Sequence, residues 1–209
     1  MYSVKETFYS LQGEGAHTGR PSIFCRFTGC NLWSGREQDR ARAACRFCDT
    51  DFVGTDGAGG GKFSDADKLA SHLSAFWPDN QSGRYVVFTG GEPLLQLDEA
   101  LIIACHDAGF EIAIETNGTL PAPQGIDWVC VSPKESLDKL VLRQGDELKL
   151  VYPQAANQPC DFESLAFRHF YLQPKEESGQ DYRQQCIDYC LQHPRWRLSL
   201  QTHKLLGID

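Results

Sequence analysis

The sequence predicts an α/β fold, an open and partial barrel of parallel strands joined by helices. Short apolar, β-branched or aromatic runs recur along the chain, each followed at once by polar, Gly or Pro residues. Helical patterns lie between several of these runs, and alternation of strand and helix implies parallel strands with right-handed crossovers. Six or seven runs are too few for a complete eight-unit barrel.

In chain order, SIFCRF (22–27) reads as the first strand. GTDGAGGG (54–61) is flexible by composition and reads as a linker, because a phosphate cradle needs a preceding strand and a following Lys-Ser/Thr. SDADKLASHLSAFW (64–77) opens with Ser64 and Asp67 in capping-box spacing and sets Leu69, Leu73, Phe76 and Trp77 on one helical face. YVVF (85–88) is a strand, and LDEALIIACHDAG (97–109) a helix stopped by Gly109. EIAIE (111–115), WVCV (128–131), ELKLVY (147–152) and HFYL (169–172) are strands. QDYRQQCIDYCLQHP (180–194) is a helix stopped by Pro194, and RLSL (197–200) is the last strand.

A length of 209 residues fits one domain, 1–209, with a sizeable core. The net charge of -8 argues against a nucleic-acid footprint, which needs clustered Lys and Arg. The start MYSVKETFYSLQGEG has no apolar segment behind basic residues, and no run approaches the roughly 18 apolar residues of a membrane span, so a cytoplasmic protein without membrane contact is expected. The nine cysteines are odd in number, and Cys105, Cys130, Cys186 and Cys190 sit inside apolar runs as small hydrophobes. A disulfide framework is therefore not expected, and the reactive set is Cys30, Cys45 and Cys48.

Ligands of parallel α/β folds bind where strands end. Here TGGEP (89–93), ETNG (115–118), SPK (132–134), QPK (173–175) and QTH (201–203) all fall at such ends, describing a polar, Gly-lined cavity. Gly90 and Gly91 allow a ligand to touch backbone, Glu92 offers an acceptor to an amine, and Lys134 and Lys175 offer charge to a carboxylate. The three cysteines are spaced C-x14-C-x2-C, one thiolate short of a closed metal site. His17 or Asp49 completes a zinc tetrahedron; alternatively three thiolates hold a [4Fe–4S] cluster with one iron open to an outside ligand.

Cys30, Cys45 and Cys48, with Phe47 before the last, resemble the cluster motif of the radical S-adenosylmethionine superfamily, and TGGEP resembles its GGE motif. The usual spacing is C-x3-C-x2-C; the longer loop here, polar and rich in Ala and Arg, suits a short helical excursion. More narrowly, FYSLQGEGAHTGRPSIFCRFTGCNLW, CDT, TGGEP, ETNG, SPK, LQPK and QTHKLLGI are similar to the 7-carboxy-7-deazaguanine synthase family of queuosine and deazapurine biosynthesis, some of whose members carry an expanded cysteine loop.

The resemblance implies a truncated barrel of the radical S-adenosylmethionine type and a lyase that contracts the ring of 6-carboxy-5,6,7,8-tetrahydropterin with loss of ammonia. A 5′-deoxyadenosyl radical takes hydrogen from C6, and S-adenosylmethionine is regenerated. It implies a [4Fe–4S] cluster on Cys30, Cys45 and Cys48 whose fourth ligand is S-adenosylmethionine, and Mg2+ on Thr50. The pterin falls to Leu11, Gln12, Gly13, Glu14, Arg26, Thr89 and His203. S-adenosylmethionine falls to Phe47, Cys48, Asp49, Gly91, Glu92, Glu115, Asn117, Ser132, Pro133, Lys134, Leu172, Gln173, Pro174 and Lys175. A homodimer and an electron-donor protein such as a flavodoxin are the implied partners. Read otherwise, Thr50 caps a following turn, QGEG (12–15) is a plain turn, Arg26 is a surface strand charge and His203 a buried structural histidine. The competing functions are a glycyl-radical activating enzyme and a zinc-stabilised binding module without catalysis.

Overall fold

A computed structural model describes residues 1–79 and 81–208. Nine strands form one sheet: β1 (Tyr2–Leu11), β2 (Pro21–Phe27), β3 (Gly61–Phe63), β4 (Tyr85–Gly90), β5 (Glu111–Thr116), β6 (Trp128–Val131), β7 (Gln144–Tyr152), β8 (Ala166–Pro174) and β9 (Trp196–Leu198). Their order is β3-β1-β2-β4-β5-β6-β7-β8-β9. From β2 to β9 every neighbouring pair is parallel, whereas β1 runs antiparallel to both β2 and β3. The sheet does not close, which agrees with the partial barrel expected.

All seven anticipated strands form, mostly with longer ends, and the pattern missed β1 and β3. In β1 a bulge between Val4 and Glu6 breaks the period-2 alternation, so Val4 and Lys5 are both buried. The run 54–61 lies along β1: Thr7 N–H donates to the Ala58 carbonyl at 2.8 Å and Gly57 N–H to the Lys5 carbonyl at 3.0 Å. A Cβ on Gly60 would stand 2.2 Å from the Lys5 carbonyl, so glycine permits this approach.

Helices α1 (Ala66–Ser74), α2 (Glu99–Asp107), α3 (Pro159–Phe162), α4 (Arg183–Gln192) and α5 (Thr202–Leu206) complete the chain. The α1 cap is Asp65, accepting from Lys68 N–H at 2.9 Å, so the helix starts one residue later than the Ser64 spacing suggested. Leu69 and Leu73 of α1 and Leu101 and Cys105 of α2 pack under β2, β4 and β5. A second core joins Leu148 and Leu150 of β7, Phe170 and Leu172 of β8, Cys186 of α4 and Trp196 of β9. Full burial of each such side chain contributes about 1.5–3 kcal/mol, so the two clusters hold the parallel strands in fixed register around their common end.

Candidate functional site

A cavity of about 430 Å³ opens at that end. It is lined by Thr89 near the end of β4 and Gly91 just after it, Glu115 and Asn117 at the end of β5, Ser132 and Lys134 after β6, Gln173 and Pro174 of β8, and His203 of α5. Leu11, Gln12, Gly13, Glu14 and Arg26 join them, as do Cys30, Cys45, Phe47, Cys48, Asp49 and Thr50 of the cysteine loop 30–50. Residues 190 positions apart in sequence therefore share one surface, as His203 and Gly13 show most closely: a Cβ on Gly13 would stand 2.1 Å from His203 Nδ1.

Four expected residues lie outside the cavity lining. Leu172 is wholly buried in the second core. The Pro133 carbonyl accepts from Gln154. Lys175 pairs with Glu177 at 2.5 Å, on the outside of the strand end. Glu92 is turned inward: Oε1 accepts from Thr116 Oγ1 (2.7 Å) and Leu94 N–H (3.0 Å), Oε2 from Asn117 N–H (2.8 Å). Burial raises its pKa against these hydrogen bonds, and it ties the GGE strand end to β5 instead of facing an amine in the cavity.

The segment after β1 reaches across to strands far along the sheet order, which is possible because the sheet curls. Gln12 Nε2 donates to Glu115 Oε1 at 3.0 Å. Glu14 Oε1 accepts from Gln173 (3.0 Å) and Gln201 (2.9 Å), and Oε2 accepts from the Lys149 ammonium. Lys149, 3% exposed, also lies 3.5 Å from Glu115. Burial works to raise the Glu14 carboxyl, but the Lys149 charge and the hydrogen bonds from Lys149 and Gln201 outweigh it and hold it below the usual range. Sequence reading missed Lys149 and its strand neighbour Glu147, which accepts from Ala16 N–H at 2.9 Å.

Arg26 lines the cavity with its Nε donating to Glu6 Oε1 at 2.7 Å, across the β1–β2 pairing. Glu6 is a further cavity residue that the sequence did not single out. Asp49 pairs with Lys204 of α5 at 2.8 Å; burial would raise its pKa, and the Lys204 hydrogen bond and charge lower it overall.

In the cysteine loop, the neighbouring Cys45 thiol draws the Cys48 thiol down to about 6 against the effect of burial, and Cys48 in turn pushes the Cys45 thiol up. Cys30 is raised chiefly by burial. Lys134 Nζ stands 5.2 Å from the Phe47 ring centroid, so the SPK turn packs on the cysteine turn. Thr50 lines the cavity, and no helix begins at it. His17 is held away from the cysteines by Tyr85 OH (2.7 Å) and a 4.1 Å contact with the Trp128 ring. Its place as a fourth zinc ligand is corrected accordingly.

The sequence profile of the Radical SAM superfamily matches residues 38–144. A 7-carboxy-7-deazaguanine synthase of Bordetella pertussis is 64% identical over 208 residues, covering 99% of each chain. The chain belongs to the 7-carboxy-7-deazaguanine synthase family. A second member, from Bradyrhizobium diazoefficiens, is 62% identical over 208 residues, again covering 99% of each chain. The crystal structure of QueE from Escherichia coli is similar at 26% identity, with a TM-score of 0.66 over 95% of this chain and 93% of that one.

Membership of the radical SAM superfamily implies a [4Fe–4S] cluster and S-adenosylmethionine, and the residues present fit both. Among the described residues no three His, Cys, Asp or Glu side chains converge as on a single ion; a cubane instead holds thiolates at separate corners, and all three loop thiols border the cavity. Ser132 Oγ, on the cavity wall, is a buried hydroxyl without a partner, at the place where a polar cofactor would supply one. Gly91 packs so that a Cβ would meet Cys30 Cβ at 2.7 Å, leaving backbone exposed beside the first cysteine.

Proposed function

We propose that this chain, as a single domain over 1–209, converts 6-carboxy-5,6,7,8-tetrahydropterin to 7-carboxy-7-deazaguanine with loss of ammonia, a lyase step of queuosine biosynthesis. The observation that carries the reading is one cavity holding both the three-cysteine loop and the segment Leu11–Glu14. Family membership supports the same activity.

When bound, the cluster and S-adenosylmethionine would supply the radical chemistry that removes hydrogen from C6 of the pterin, with Cys30, Cys45 and Cys48 holding the cluster. The protein's own part is positioning and exclusion of water. Cys30, Cys45 and Cys48 present three thiolates. Ser132, Lys134, Glu115, Asn117, Gly91, Gln173 and Pro174, with the Phe47–Asp49 backbone, enclose the cofactor. Gln12, Glu14 and the backbone of Leu11 and Gly13 read the hydrogen-bonding edge of the pterin, Arg26 faces its carboxylate, and Thr89 and His203 close on the ring. Holding the reacting atoms at about 3–3.5 Å replaces a bimolecular encounter by a fixed one.

Thr50 supplies a hard oxygen for Mg2+, which suits a carboxylate-bearing substrate. The likeness to the family supports a homodimer working in the cytoplasm with a flavodoxin-type electron donor; no helix among the described residues is long and apolar enough to cross a membrane. The test is anaerobic reconstitution followed by incubation with reductant, S-adenosylmethionine and the carboxytetrahydropterin. The expected product has the mass of 7-carboxy-7-deazaguanine, and recovery of unchanged pterin from cluster-bearing protein would exclude the reaction.

A further inference from the structure

The stretch between the first two cysteines has no task in the chemistry above. It leaves Cys30, makes a 3-10 turn over Glu37–Arg42, and returns where Ala44 N–H donates to the Leu32 carbonyl at 3.1 Å. Arg40, on that turn, points back at the cysteines. Its NH1 donates to the Arg46 carbonyl and to the Cys48 carbonyl, each at 3.0 Å. Its Nε donates to the Glu37 carboxylate at 2.7 and 2.9 Å, and the guanidinium carbon lies 4.1 Å from the Trp33 ring centroid. Trp33 is 7% exposed and packs edge-on against Phe52, just beyond the loop. One edge of the guanidinium thus grips two carbonyls, another an acid, and the flat face an indole. Only a planar, multiply donating cation fits all three.

The two carbonyls flank Phe47, so fixing them fixes the turn from Cys45 to Cys48 and the backbone of Phe47–Asp49. We propose that Arg40 is a positioning residue for this turn. It sets where two cluster thiolates and the cofactor-facing backbone stand, and it places a permanent positive charge beside the Cys48 end of the cluster. The proposal rests on the reading that Cys45 and Cys48 are cluster ligands. Partners one step removed from metal ligands orient them and tune the metal, and their loss commonly costs about 10–100-fold in metal affinity or activity. Hydrogen bonding and nearby charge also set the potential of an iron–sulfur cluster.

The test compares wild type with Arg40→Met, Arg40→Lys and, as a control on the same turn, Arg42→Met. Three readouts are taken: iron retention under chelator, the midpoint potential of the cluster, and amide hydrogen exchange of Phe47–Asp49 in iron-free protein. Arg40→Met is expected to lose iron about 10-fold faster, to show a lower midpoint because a positive charge no longer favours the reduced state, and to exchange these amides faster. Arg40→Lys keeps the charge without the two-carbonyl grip, so its potential stays near wild type while iron loss and exchange remain fast. Arg40→Met with wild-type retention, potential and exchange, in protein whose wild type carries the cluster, would overturn the proposal alone. A wild type that forms no [4Fe–4S] spectrum would overturn the ligand reading beneath it and the proposal together.

Discussion

Lys149→Met removes one partner from a buried charge group while keeping most of the side-chain volume. The Lys149 side chain is 4% exposed and that of Glu14 is 13% exposed. Removing one member of such a pair costs about 3–5 kcal/mol, because the other charge stays buried. Glu14 keeps its hydrogen bonds from Gln173 and Gln201, which places the expected cost near the lower figure, about 3 kcal/mol. That is a large part of the roughly 5–15 kcal/mol of a whole domain.

The sign of the pH dependence follows from Glu14. In wild type its folded pKa is depressed, so its stabilisation is complete above the ordinary carboxylate range, about 4.3, and is lost only as pH falls through the lower folded value. Without Lys149 the burial effect loses its largest opponent, leaving the Gln201 hydrogen bond and the weaker influence of His203 against it, and the folded pKa rises. The folded variant then keeps a proton that the unfolded chain releases, so its stability falls as pH rises, by about 1.4 kcal/mol per unit of pKa increase. Urea unfolding of iron-free, reduced protein at about pH 5 and about pH 8 reads this directly. The double variant Glu14→Gln/Lys149→Met should recover part of the loss. A cost below about 1 kcal/mol, equal at both pH values, would mean that the group behaves as an exposed salt bridge and that its burial does no electrostatic work.

Cys30→Ala, Cys45→Ala or Cys48→Ala should each abolish the S-adenosylmethionine-responsive cluster spectrum and turnover, whereas Cys105→Ala, in the α2 core, should lower only Tm; iron content and electron paramagnetic resonance distinguish them. Thr50→Val should reduce turnover and its stimulation by Mg2+, and an unchanged Mg2+ response would leave Thr50 as the cap of the turn that follows it. Substrate deuterated at C6 should pass deuterium into recovered S-adenosylmethionine; product formed with unlabelled cofactor would eliminate the regenerating mechanism. Arg26→Ala should raise deoxyadenosine released per product, measured by chromatography, unless Glu6 and Arg26 serve only to pair β1 with β2.

The parallel strands were legible because most are short runs rich in apolar, β-branched or aromatic residues, each bounded by turn residues, as expected when both faces are covered. β1 escaped because its bulge puts Val4 and Lys5 inward in succession, and three-residue β3 is too short for any pattern. The strand-end motifs were legible as polar interruptions. Glu147 and Lys149 were not, since ELKLVY reads simply as a strand and the run alone does not say what its charged face meets. In fact Leu148 and Leu150 fill one core while Glu147 and Lys149, each 3% exposed, lie on the opposite buried face. A parallel strand covered on both sides cannot put alternate charges in water, so that alternation itself signalled a polar interior. The direction of Glu92 was not legible, because a motif gives residue type and position, whereas side-chain direction depends on the Thr116 and Asn117 donors that only the folded β5 end supplies.

Thr202 donates both its N–H and its hydroxyl to the Gly13 carbonyl, across 189 positions of sequence. Synthesis at about 5–20 residues per second separates these two walls by some tens of seconds. From the completion of Cys48 until α5 is made, the thiols of Cys30, Cys45 and Cys48 exist while α5, whose His203 and Lys204 line the same cavity, does not. A ribosome-bound chain therefore carries these three thiols before it has the wall that α5 supplies to their cavity.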